Sequence, residues 1–232
     1  MRFPSPLIKG TLTKKHRRFI VDVTLEDGTM VTAHCPTMGR MQGVSEPGRP
    51  VMLSDSGLET RRNRLTWELT DINGTWVGMN SSVPLKVLIE SIEENRIPSL
   101  KGFGEIQVGA TYGHRNKIDV MLQGMEHNCF IGTFHVSWAE NGVAFFPDVP
   151  SPRITKSIHQ LSEIARQGHR AVAFFFVQRD DCTLFKPADD VDKVFLKAML
   201  AAQSSGVEIM VYQARITTEA ITLGTPLPCS LE

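Results

Sequence analysis

The chain has 232 residues, of which 41% are hydrophobic and 22% charged, a composition that excludes a disordered chain and allows a sizeable core in one or two domains. Lys plus Arg number 25 and Asp plus Glu number 25, so the formal charge is zero and no global attraction to nucleic acid or anionic lipid exists. Any polyanion site must therefore be a local patch.

From the amino end, FIVDVTL (Phe19 to Leu25), the turn Glu26-Asp27-Gly28 and TMVTAHC (Thr29 to Cys35) read as a β-hairpin. VMLS (Val51 to Ser54) is a short strand, and LTWELTDI and TWVGMN are joined by Asn73-Gly74, a second hairpin signal. About five strands without a helix predict a small barrel over residues 1–81, of the oligonucleotide-binding (OB) type, although any small β-barrel fits the pattern.

The period changes at Ser82, the expected helix cap. Leu85, Leu88, Ile89 and Ile92 fall at i, i+3, i+4 and i+7, which predicts a helix to Asn95 with Pro84 in its first turn. Residues 82–232 then read as a second, mixed α/β domain. KIDVML and CFIGTFHV form a hairpin, Ser157 to Gln167 a helix stopped by Gly168, and AVAFFFVQ a buried strand. Asp190 to Ser205 is a further helix, with Val191, Val194, Phe195, Ala198 and Met199 inward, and Gly206 ends it before the strand VEIMVYQ. Strand, helix, strand in that order implies a right-handed crossover and a parallel pair.

Cys35, Cys129, Cys182 and Cys229 are widely spaced with no CxxC pair, and no signal sequence or apolar run of about 18 residues stands out, which predicts a soluble, cytoplasmic protein with no membrane contact. His34 with Cys35, and His127 with Cys129, lack a second pair at zinc spacing. Trp67, Trp76 and Trp138 read as packing residues.

Ten segments in one order along the chain, among them MRFPSPLI, TAHCPTMGRM, RIPSLKGF, YGHRNKIDV, FFPD, QGHRAVAFFFVQRDDCT and LGTPLP, resemble the bacterial sugar fermentation stimulation protein A family. The resemblance implies an OB-like barrel followed by a restriction-endonuclease-like PD-(D/E)xK domain. It also implies DNA binding without strong sequence preference, regulation of sugar-metabolism genes, and a nuclease activity.

A PD-(D/E)xK nuclease places an Asp on one strand and a Glu two residues before a Lys on the next. Alternation then puts the Glu and Lys on one face, where both carboxylates can hold Mg²⁺ and the Lys can orient or activate water. Here Asp119 matches the Asp, but the family pattern V-E-V-K-N-V aligns with IGTFHV, which sets Gly132 at the Glu and Phe134 at the Lys. Gly109 stands where an upstream Glu is common. Thr133 and His135 lie on the opposite face, so only a bulge or register slip would bring His135 into the site. Asp119 is read as a vestigial metal ligand satisfied by a turn or by Arg115 or Lys117, with no catalytic residue and no cofactor; the alternative is an Mg²⁺- or Mn²⁺-dependent nuclease using Asp119 with non-standard ligands.

Two basic runs flank barrel strands: KKHRR, with Lys14, Lys15, Arg17 and Arg18 ahead of the first strand, and RRNR, with Arg61, Arg62 and Arg64 before the strand of Trp67. Both suit phosphate contacts, against the alternative of a solvated loop. Arg115, Lys117, Arg153 and Lys156 are set by the resemblance around the former catalytic cleft. Asp148 of FFPD reads as a turn or cap residue, or a second polar contact. The reading is a DNA-binding protein, with RNA as a second partner, whose nuclease site is degenerate; a protein that has left nucleic acid altogether is the third reading.

Overall fold

The computed structural model describes residues 1–16, 19–37, 39–58, 60–61, 63–113 and 116–231, with only the backbone of Asn116. Its first part is a barrel of β1 (Ile8–Lys15), β2 (Ile20–Leu25), β3 (Met30–His34), β4 (Pro50–Asp55), β5 (Leu65–Ile72) and β6 (Thr75–Gly78). The order is β3-β2-β1-β4-β5-β6, and His34 pairing with Thr66 joins β3 to β5 and closes it. Leu12, Val21, Val23, Val51, Leu53, Trp67 and Val77 fill the interior. Trp67 is fully buried, and its indole N–H donates to Leu69 O at 2.9 Å, which satisfies the one polar atom that burial would strand.

Both predicted hairpins form, and Asn73 and Gly74 take φ of 55° and 90° as a two-residue turn requires. One expectation is corrected: the run KKHRR does not precede the first strand. Lys14 and Lys15 end β1, which contributes only Gly10 and Leu12 to the interior and so carries no apolar run.

The second part opens with α1 (Val83–Glu93) and a short 3₁₀ turn, then β7 (Ile106–Val108), the small hairpin β8 (Thr111–Tyr112) and β9 (Asn116–Lys117), β10 (Val120–Leu122) and β11 (Cys129–Val136). It continues through β12 (Ala139–Glu140), β13 (Val143–Phe146), α2 (Pro152–Arg166), β14 (Arg170–Val177), β15 (Leu184–Pro187), α3 (Lys193–Ser204), β16 (Glu208–Ile216) and β17 (Ile221–Pro226). Six strands form one mixed sheet in the order β17-β16-β14-β11-β10-β7. Helices α2 and α3 are the crossovers that make β11, β14 and β16 parallel, while β10, β7 and β17 add antiparallel.

Alternation along β11 and β14 builds two cores. Phe134, Val136, Phe175 and Val177 meet Ile158 and Leu161 of α2 and Phe195 and Met199 of α3. Cys129, Ile131, Phe174 and Phe176 meet Val83, Val87 and Leu88 of α1 on the other face. Helix ends differ from expectation. Ser82 makes no capping bond and its hydroxyl turns to Asn80 Oδ1 instead. Helix α2 starts at Pro152 rather than Ser157, because the Ser151 hydroxyl accepts from Ile154 N. Helix α3 starts after Asp192, with Val194 on its outer face, 64% exposed.

The barrel and the sheet are joined by backbone. Gly78 N donates to Gln178 O at 2.8 Å, and Gln178 Nε2 donates to Asn80 O at 3.0 Å. A Cβ on Gly78 would lie 2.3 Å from Gln178 Oε1, so a larger residue there would displace the Gln178 amide. Residues Met1 and Phe3 pair with Ile221 and Glu219, on the edge of the second unit's sheet.

Candidate functional site

A cleft of about 370 Å³ lies between the barrel and the second unit. Its barrel wall holds Phe19, Pro36, Thr37 and Ser81; its far wall holds Arg153, Ile154, Ser157 and Leu161 of α2; its floor is the run Gly132 to His135 of β11. The floor is open because β10 reaches only to Val120, opposite Ile131, while Gly132 to Val136 pair on the β14 side alone.

Asp119 sits where β10 stops. Its Oδ2 accepts from Thr133 N at 2.7 Å and from Thr133 Oγ1 at 2.9 Å. The carboxylate thus continues the missing strand, capping a backbone donor that β10 would otherwise have met. The expected partners were Arg115 and Lys117. No ion pair joins Lys117 to Asp119, and Arg115 lies outside the described residues.

Gly132 and Phe134 turn toward α2. Phe134 is 7% exposed and stacks on Phe175 with centroids 4.7 Å apart and planes at 20°, and Phe146 lies 6.0 Å away. A Cβ at Gly132 would lie 3.3 Å from Leu161 Cδ1 and 3.6 Å from Phe134 Cε2. The space beside Asp119 is therefore hydrocarbon. Among the described residues no three His, Cys, Asp or Glu side chains come together. One carboxylate that already accepts two hydrogen bonds does not make the oxygen set a divalent ion requires, so these residues do not fit Mg²⁺ or Mn²⁺.

Two groups bridge the cleft. His135 Nε2 lies 3.1 Å from Gly78 O, and since a carbonyl only accepts, Nε2 carries the proton. Burial pushes this imidazole below its ordinary value, against a partial pull upward from Gly78 O and Asp148. Asp148 Oδ2 accepts from Met41 N at 2.8 Å, so the FFPD carboxylate holds Met41, between β3 and β4 of the barrel, to the second unit.

The description SfsA N-terminal OB domain matches residues 14–79, and Sugar fermentation stimulation protein RE domain matches residues 82–220. The chain belongs to the sugar fermentation stimulation protein family. Relatives include the sugar fermentation stimulation protein homologs of Citrifermentans bemidjiense, 42% identical over 100% of both chains, and of Paramagnetospirillum magneticum, 36% identical over 100% of this chain and 98% of that one. The solved structure of Pyrococcus furiosus SfsA in complex with Ca²⁺ shares the fold, with a TM-score of 0.89 and 23% identity over 99% of each chain.

Against this SfsA fold the expected cations separate into groups. Lys117 and Arg153 line the cleft with Asp119. Lys156 is exposed one turn along α2 from Arg153, outside the lining. Lys14 is exposed on β1, whereas the Lys15 amine donates to Gly39 O and Arg40 O at 3.1 and 3.2 Å. Burial lowers the Lys15 pKa, with Cys35 and Asp148 pulling it back up. Arg64 is held by Asp55 through Nε at 2.9 Å, and Arg61 is exposed near His34. Arg17, Arg18 and Arg62 lie outside the described residues.

Sequence reasoning missed Phe19 and the His135 contact. Phe19 carries φ of 67°, rare for a bulky residue, and is 43% exposed at the mouth of the cleft. An aromatic directly after five basic or imidazole side chains was the available signal.

Proposed function

We propose that this SfsA member is a cytoplasmic nucleic-acid-binding protein, for DNA first and RNA second, that holds a strand across the barrel and the cleft without cutting it. One observation carries the reading: Lys117 and Arg153 border the same cleft, and neither has an ion-pair partner among the described residues, while the cleft's Asp119 is engaged by Thr133. Two cations without an ion-pair partner can meet a phosphate, while the two carboxylates of the lining, Asp119 and Asp148, are held by hydrogen bonds from Thr133 and from Met41 N. Lys14 and Arg61, exposed on the barrel, extend the basic surface. The OB domain match supports nucleic acid over other polyanions. Four free cysteines, three of them buried, support a reducing compartment. No described helix is long and apolar enough to cross a membrane. The relatives' name supports a setting in the regulation of sugar metabolism.

Cleavage is not part of the proposal, because Gly132 and Phe134 bring neither a second carboxylate nor an ammonium to Asp119. The Ca²⁺ of the Pyrococcus furiosus complex is a property of that protein. The proposal is tested by titrating labelled DNA at several salt concentrations. Log K should fall linearly with log salt, and Lys117→Ala with Arg153→Ala should reduce the slope by about 2. Binding that ignores salt, or a slope that the double variant leaves unchanged, refutes the cleft as the phosphate site.

A further inference from the structure

We infer that the cleft receives one unpaired nucleotide of the bound strand, with its base against Phe19 and over the open edge of β11 and its phosphate toward Lys117 and Arg153. This rests on the nucleic-acid reading above and names what enters the cleft.

The edge is the first argument. Backbone groups of alternate residues in a strand point to the same side, and Cys129 and Ile131 point to β10. Thr133 and His135 therefore point that way too, beyond the start of β10. Thr133 N is taken by Asp119, but Thr133 O, His135 N and His135 O have no partner among the described residues. They form an acceptor, donor, acceptor row at the floor of a cleft, a set of groups that a ligand can satisfy. Two residues are too short a template for an added peptide strand and about the breadth of one base. The walls are the second argument. Phe19 offers an exposed aromatic face, Pro36 and Phe145 add apolar surface, and about 370 Å³ falls in the range of small-ligand pockets. Stacking plus backbone hydrogen bonds suits a nucleobase, and the two cations suit its phosphate. A duplex keeps its bases inside the stack and offers this cleft phosphates alone.

The test uses the full chain and three labelled DNAs of one length: a single strand carrying 2-aminopurine, an abasic strand that lacks the base at every position, and the full duplex of the first. At one salt concentration the single strand should bind about tenfold more tightly than duplex or abasic strand, with a change in 2-aminopurine fluorescence. Phe19→Ala should lower that preference about tenfold, within the range for loss of one stacked base, while Phe19→Tyr retains it. Equal affinities for the three DNAs, or a preference untouched by Phe19→Ala, overturn the nucleotide pocket and leave salt-dependent binding standing. No binding to any of them overturns both readings.

Discussion

Phe134 makes the face of β11 that turns toward α2 part of the core. Stacked on Phe175 and next to Phe146, it belongs to the cluster that fixes α2 and α3 to the sheet. Phe134→Ala should cost about 3–5 kcal/mol, read as a lower midpoint in urea at unchanged m-value. Phe134→Lys should cost at least as much, since an ammonium there has aromatic rings for company. His135 gives a second prediction, on pH. Its folded pKa lies below the ordinary 6.5, so the unfolded chain takes up a proton that the folded chain refuses. Stability is full above 6.5 and declines as pH falls through that value toward the folded one. His135→Gln should flatten this decline in thermal unfolding followed from neutral pH to about pH 5, leaving the part due to His34, which burial shifts the same way. At this scale the setting of Gly132 and Phe134 at the Glu and Lys positions came from the resemblance alone, while their shared face was legible from strand alternation. The Asp119 to Thr133 bond was not, since it depends on where β10 ends.

Among the elements, caps decide what periodicity leaves open. Asp192 Oδ1 accepts from Phe195 N at 2.9 Å to start α3, and its Oδ2 accepts from Ser151 N at 3.0 Å, just ahead of α2. One carboxylate thus sets the entry of both crossover helices. Asp192→Ala should lose about 2 kcal/mol, near the upper end for a cap, because the half-buried Ser151 and buried Phe195 donors lose a partner together; a thermal melt of the variant checks this. The glycines at 168 and 206 and the apolar spacing of α1 to α3 were readable, yet the inward faces were only partly so. In α1 the buried residues are Val83, Pro84, Val87, Leu88 and Ser91, with Leu85, Ile89 and Ile92 half-buried, where the helix rests on β11 and β17 of the sheet. Strand β1 was missed outright: IKGTLTKK buries two residues, one of them glycine, so no hydrophobic period marks it.

Across the whole molecule, the proposed binding surface lies at the junction of barrel and sheet. Gly78, Gln178, His135 and Asp148 tie the two units together around a cleft that Phe19 and the open edge of β11 both line. The order of barrel then mixed domain was legible from hairpin turns and the change of period. The cleft was not, since it depends on how the two units pack. The central claim is binding without cleavage. It is tested most directly by incubating labelled single- and double-stranded DNA with the protein in Mn²⁺ or in chelator, and running each sample on native and denaturing gels. Retarded DNA on the native gel and intact strands on the denaturing gel, with or without metal, is the predicted result. Strands cut in Mn²⁺, spared in chelator and spared by Asp119→Asn would contradict it.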